Sequence, residues 1–249
     1  MCPRSTRANR TGTRPRALAG ARGISALAKT RLAILILCLG VVALPSTSSA
    51  ATGVSDRSNS IAMHVSASAG LFRDWVIASG DNHGLPFVIV DKKSAEVLVF
   101  YPDGRLRGAA PALLGLAHGD DSVPGIGQRK LSSITPEERT TPAGRFVASL
   151  GNDLGTKNVL WVDYDDAISL HRVITTNPKE QRLHRLATAS ILDNRISFGC
   201  INVPVKFYDT IVEPSFTGTN GIVYILPETR SIQATFPAYA VDEKMRSSN

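Results

Sequence analysis

The stretch LPFVIVDKKSAEVLVFYPDG, residues 85–104, sets the fold class. Two runs rich in Val, Ile and Phe, at 85–91 and 95–104, flank the polar DKKS, and a Pro-Asp-Gly turn closes the second. Apolar runs of this length bounded by turn formers predict a β-hairpin. Working outward, GLFRDWVIAS at 70–79 brings Leu71, Val76 and Ile77 near helical spacing, with Trp75 beside them, and predicts a short helix. AAPALLGLA at 109–117 predicts a further strand. The polar stretch 118–143 that follows is long for a passive connection. GRFVASL, NVLWVDY and AISLHRV predict strands at 144–150, 158–164 and 167–173. Asn177, Pro178 and Glu180 have the spacing of a capping box and head a helix over 177–187, with Leu183, Leu186 and Ala187 on one face. VPVKFYDTIV at 203–212 predicts a helix starting near Pro204, with Phe207, Tyr208, Ile211 and Val212 turned inward, and GIVYILPE at 221–228 predicts a last strand. The expected class is mainly β with short helices, a β or α+β domain.

The N-terminus has a different character. Residues 1–31 hold eight Arg or Lys residues and no acid, and the apolar run LAILILCLGVVAL at 32–44 leads into PSTSSAA. Basic region, short apolar core and small residues describe an export signal over 1–50, cleaved near Ala50 or Ala51. The apolar run is shorter than the roughly 20 residues a membrane span needs, so no integral anchor is expected after cleavage. Residues 51–67, rich in Ser, Ala and Gly, read as a flexible lead-in, and 68–249 as one domain. The whole chain carries 28 basic and 21 acidic residues. Without the eight basic residues of the leader the balance is 20 against 21, about −1. The high pI belongs to the leader, and nucleic acid is excluded as a partner.

Cys2 and Cys38 fall within the leader, so Cys200, in RISFGCINVPVKFYD at 195–209, is the one cysteine of the exported chain. Export favours thiol oxidation, so a cysteine kept there either works or is deeply buried. Gly199 before it allows tight backbone geometry and leaves room beside the sulfur. A thiol nucleophile needs a base, since cysteine is mostly protonated at neutral pH. Of five histidines, His64, His83 and His118 sit in polar, turn-like surroundings. His171 ends the apolar AISL run and His184 lies on the 177–187 helix. Spacing alone does not choose between these two.

The stretch from His171 to Tyr208 resembles the catalytic core of the L,D-transpeptidases, the YkuD-type cysteine enzymes of peptidoglycan. Their signature is a strand ending in His, a variable insert, then Ser/Thr-His-Gly-Cys, a hydrophobic residue and Asn or Arg; this chain has Ser197, Phe198, Gly199, Cys200, Ile201 and Asn202. Thr141, Pro142, Ala143, Gly144 and Phe146 are similar to the family's Thr-Pro-x-Gly-x-Phe segment, and 88–104 to its opening hairpin. There are two departures. Phe198 replaces the histidine before Gly-Cys, and 25 residues separate His171 from Ser197, longer than the usual insert. Twelve separate His184 from Ser197. Because family bases follow a strand, the resemblance implies His171 as base, with the 177–187 helix as an inserted element.

The resemblance further implies a catalytic-domain-like sheet sandwich and acyl transfer on peptidoglycan stem tetrapeptides. Cys200 attacks an L-to-D peptide bond, D-Ala leaves, and an acceptor amine resolves the thioester. Backbone amides at Gly199 and Cys200 are the expected oxyanion donors, with Ser197 supporting the loop. Asn202, Arg195 and Phe198 are the expected substrate contacts, Arg195 toward a carboxylate. No cofactor or metal is implied. The expected location is the periplasm or cell envelope. The competing readings are a hydrolase using the same residues, acting as carboxypeptidase or endopeptidase, and a catalytically silent wall-binding protein. The order of His before Cys argues against a papain-like peptidase.

Overall fold

The computed structural model describes residues 65–153 and 158–247. The signal sequence read at 1–50 and most of the lead-in lie outside the described residues. The first helix, α1 (Ala67–Ser79), begins inside the segment read as lead-in, because the Ser66 hydroxyl caps it by accepting from the Ala69 amide at 3.1 Å. Gly80, in the left-handed conformation at φ 69°, ends it. The buried face is Ala69, Phe72, Trp75 and Val76, whereas Leu71 is 63% exposed and Ile77 also faces out. The stripe that meets the sheet is thus shifted from the one the sequence pattern suggested.

Among the described residues ten strands follow: β1 (Phe87–Asp91), β2 (Glu96–Phe100), β3 (Leu106–Pro111), β4 (Leu114–Gly115), β5 (Gly144–Asn152), β6 (Asn158–Asp163), β7 (Ile168–Arg172), β8 (Arg195–Ser197), β9 (Ile201–Val203) and β10 (Gly221–Leu226). Eight form one mixed sheet in the order β3-β2-β1-β10-β5-β6-β7-β9, and β4 pairs with β8 in a small parallel ribbon. The hairpin predicted at 85–104 is present as β1 and β2, paired antiparallel with Phe87 opposite Phe100. The strand expected at 109–117 is two. β3 ends at Pro111, which has no amide to continue the ladder, and the chain then crosses to a new partner. The Leu113 amide donates to the Asn202 carbonyl at 2.8 Å, and the Asn202 amide returns a bond of 2.9 Å.

That bridge joins the two edges of the sheet. Laid flat, eight strands would span about 34 Å, yet Val88, Val97 and Val99 near one edge share a core with Leu170, Ile201 and Val203 at the other. The sheet curves until it nearly closes, giving a mixed α/β fold around one wrapped sheet. Tyr208, Val212 and Phe216 fill its interior from a helical run over 205–216, which includes a π-helical turn at Tyr208–Val212. A second core lies on the outer face, where Phe87, Ile89, Leu98, Phe100, Ile222 and Tyr224 pack against Phe72, Trp75 and Phe236. Burial on both faces explains why β1, β2 and β10 are apolar runs without alternation.

The helix expected at 177–187 is also divided. Pro178–Glu180 is a single 3₁₀ turn, and Gln181 adopts φ 47° before α2 (Arg182–Ala187) starts. Asn177 does cap the first turn through the Lys179 amide, while the Glu180 carboxylate accepts from Arg182 and from the Asn177 side-chain amide, the latter at 3.2 Å. The buried face of α2 is Arg182 and Leu186; Leu183 is 61% exposed. Among the described residues, no helix is long and apolar enough to cross a membrane.

Candidate active site

Strands β7 and β9 run parallel, with Leu170 beside Ile201 and His171 beside Asn202. Side chains alternate across a strand. Ile168, Leu170, Ile201 and Val203 therefore enter the inner core, and Ser169, His171 and Asn202 share the other face. Cys200, one residue before β9, joins them: its Sγ lies 3.5 Å from Ser169 Oγ and 3.6 Å from the Ala167 carbonyl oxygen. All four residues of this polar face are buried, Cys200 completely.

His171 is held in one tautomer. Its Nδ1 lies 2.7 Å from the Arg172 carbonyl, which can only accept, so Nδ1 carries the proton. Nε2 is then the lone-pair nitrogen, buried and without a hydrogen-bond partner among the described residues. Burial lowers the imidazole pKa from 6.5 to about 4, opposed by the Arg172 bond and aided by the Arg182 charge. The ring is neutral at pH 7 and able to accept a proton.

The loop before Cys200 is fixed at every residue. Ser197 Oγ donates to the Cys200 carbonyl at 2.6 Å and accepts from the Gly199 amide at 3.1 Å. The Gly199 amide, expected as an oxyanion donor, is therefore turned to Ser197. Gly199 has φ +125°, and a Cβ there would lie 2.7 Å from the Thr140 carbonyl oxygen and 2.8 Å from Ile168 Cδ1. Only glycine fits. Thr141 clamps the same loop, its Oγ1 donating to the Gly199 carbonyl and accepting from the Gly115 amide, both at 2.8 Å. Phe198 is half-buried beneath the Arg139 guanidinium, 3.9 Å from ring centre to Cζ. The long segment 118–143 is thus a wall of the site.

Asn202 joins two parts of this face. Its Nδ2 donates to the Cys200 carbonyl at 3.2 Å, and its Oδ1 accepts from Arg182 Nη1 at 2.7 Å. Arg195 does not face the site. Its guanidinium donates to the Lys92 carbonyl and pairs with the Glu228 carboxylate, within a buried network that also holds Lys92 and Asp120. His184 is exposed on α2, His83 is exposed, and His118 lies 3.0 Å from Glu228; His64 falls outside the described residues.

Ser169 and Arg182 are the members of the site that sequence reading missed. Ser169 was within reach, since ISLHR alternates and puts it on the His171 side. Arg182 gave no signal, because the face of its helix was judged from the leucines. Among the described residues, no group of three or more His, Cys, Asp or Glu is placed to hold a metal.

No family model matches the chain, and no curated protein matches it. It is similar to the solved structure of LD transpeptidase LdtMt1 in complex with imipenem, at 14% identity and a TM-score of 0.32 over 57% of this chain and 58% of that one. For the L,D-transpeptidase from Xylanimonas cellulosilytica the values are 15% and 0.33, over 57% of this chain and 60% of that one. For the helical cell shape determining protein Pgp2 from Campylobacter jejuni they are 15% and 0.37, over 64% and 56%. The chain thus spans less than two thirds of the length of each.

Proposed function

We propose that this chain is an exported cysteine acyltransferase acting on peptidoglycan stem tetrapeptides, with Cys200 as nucleophile and His171 as base. One observation carries the reading. A neutral imidazole with its Nδ1 proton tied down and its Nε2 open shares a buried polar face with Cys200, one strand away. In the reaction, Nε2 takes the thiol proton and the thiolate attacks the carbonyl carbon of the L-to-D bond. The imidazolium then protonates the departing D-Ala amine, leaving a thioester. An acceptor amine attacks that thioester, its proton passes to His171 and on to the sulfur, and a new amide is released with the thiol restored. Ser197 and Gly199 fix the loop that carries the nucleophile, Asn202 holds its carbonyl, and Phe198 is the half-exposed contact for the stem peptide. The leader at 1–50 supports action in the periplasm or cell envelope.

The chemistry uses Cys200 as a thiol, so the assay is run under reducing conditions. Disaccharide-tetrapeptide stems are then supplied with and without an acceptor amine, and products are read by mass spectrometry. D-Ala release, an acyl adduct on Cys200 and an amine-exchanged product are expected. His171→Ala should remove nearly all transfer while His184→Ala costs little. A shortened tripeptide alone points to the hydrolase. No adduct and no product from folded, reduced protein leaves the silent wall-binding reading.

A further inference from the structure

Resting on the acyl-transfer reading above, we propose that Arg182 is the carboxylate-binding residue of this site. It takes the free carboxylate of the D-residue that ends the donor stem, and Glu180 stands in for that carboxylate when no substrate is bound. The sequence suggested Arg195 for this task, but Arg195 is committed to Glu228 and the Lys92 carbonyl. Arg182 is the guanidinium that the fold turns to the polar face of β7 and β9.

The placement of Arg182 is hard to explain by packing. Its side chain is only 3% exposed, and arginine is among the residues least often buried without a purpose for its charge. The charge sits close enough to His171 to work against protonation of the ring. One of its bonds goes to a neutral amide, Asn202 Oδ1, and through Asn202 Nδ2 it is linked to the Cys200 carbonyl. Its ionic partner, Glu180, comes from two residues earlier in the chain, also accepts from Asn177 Nδ2 at 3.2 Å, and is 31% exposed. A local carboxylate at the edge of solvent is one that a ligand can displace or supplement.

There is also room for a ligand. A pocket of about 420 Å³ is lined by Arg182 together with Thr175, Asn177, Gln181, Leu183 and His184. That volume lies within the range of small-molecule sites, and the lining supplies several polar groups around a single cation. A guanidinium presents a planar fork that matches a carboxylate with two parallel bonds. The carboxylate of a terminal D-amino acid lies one residue from the scissile carbonyl, which suits a cation two hydrogen bonds from the backbone of Cys200.

The test is calorimetric and needs no turnover. N-acetyl-D-alanine and its C-terminal amide are titrated into the reduced full chain; both carry acetyl in place of the L-residue that supplies the acyl group of the scissile bond. The acid is expected to bind about tenfold tighter than the amide, the order of one charge-assisted hydrogen bond. Glu180→Gln, which removes the standing carboxylate, is expected to tighten the acid about tenfold and leave the amide unchanged. Arg182→Gln is expected to erase the difference between them, and Arg182→Lys to keep part of it. Equal binding of acid and amide, including no binding of either, overturns the assignment. So does a Glu180→Gln protein that melts at a lower temperature but binds the acid as before, the behaviour of an ion pair that serves the fold alone. If the acid–amide difference stands while no acyl adduct forms on Cys200, the pocket survives and the transfer reading falls. An adduct without the difference does the reverse.

Discussion

Acidification from pH 8 to pH 4 is expected to cost the fold about 3 kcal/mol through His171 alone. The imidazole is neutral in the native state because burial lowers its pKa from 6.5 to about 4. In the unfolded chain the same ring takes up a proton near 6.5. Between these two values the unfolded state binds more protons, so stability rises with pH across that window. The His171 contribution is complete above pH 6.5, falls away as pH drops, and is exhausted near pH 4. At 1.36 kcal/mol per pH unit the window amounts to about 3 kcal/mol. Urea denaturation of the reduced protein at pH 8, 6.5, 5.5 and 4.5 reads this as a falling midpoint. Carboxylates also titrate at the lower end, so His171→Gln is measured in parallel. The variant should lose most of the slope between pH 6.5 and 4.5 while retaining whatever the acids contribute. If wild type and variant fall in parallel, His171 is not a buried neutral ring and the tautomer assigned to it is wrong.

Two further substitutions probe the frame of the site. Gly199→Ala puts a Cβ against the Thr140 carbonyl and Ile168 at φ +125°; strain and overpacking together predict a loss of about 2–5 kcal/mol by chemical denaturation. A near-neutral result would mean the loop before Cys200 is softer than its hydrogen bonds indicate. Lys92→Met removes a fully buried ammonium that donates to Asp120 Oδ1 and to the Gly119 and Thr141 carbonyls. It should destabilise by about 3–5 kcal/mol, since the carboxylates of Asp120 and Glu228 remain behind. A loss under 1 kcal/mol would show that Arg195 and the backbone amides alone suffice for those acids.

Much of the sheet was legible in the sequence because β1, β2 and β10 are covered on both faces and so appear as unbroken apolar runs. The helices were harder. In α1 and α2 two overlapping apolar stripes compete, and only contact with the sheet selects Phe72 over Leu71, or Leu186 over Leu183. Closure of the sheet was invisible, since it depends on a bridge between Leu113 and Asn202 with no local signature. Within the candidate site, Cys200 and His171 could be singled out because each lies at or beside the end of a strand and carries chemistry that few residue types have. Ser197 and Gly199 followed from their neighbours. The pairing of Arg195 with Glu228 and the contact of Arg182 with Asn202 had no local signature, because sequence says nothing of which arginine finds a buried partner first.

The place of β10 has a consequence for how the protein is made. It is the last strand to be synthesised, yet it lies between β1 and β5 in the middle of the sheet. Until it arrives, the two half-sheets, β3-β2-β1 and β5-β6-β7-β9, are linked through the Leu113–Asn202 bridge and the β4–β8 ribbon but lack the central strand between β1 and β5. A polypeptide interrupted before Gly221 would own both His171 and Cys200 and still lack the wrapped core behind them. The order of synthesis thus delays the full backing of the sulfur and the imidazole until β10 has been made.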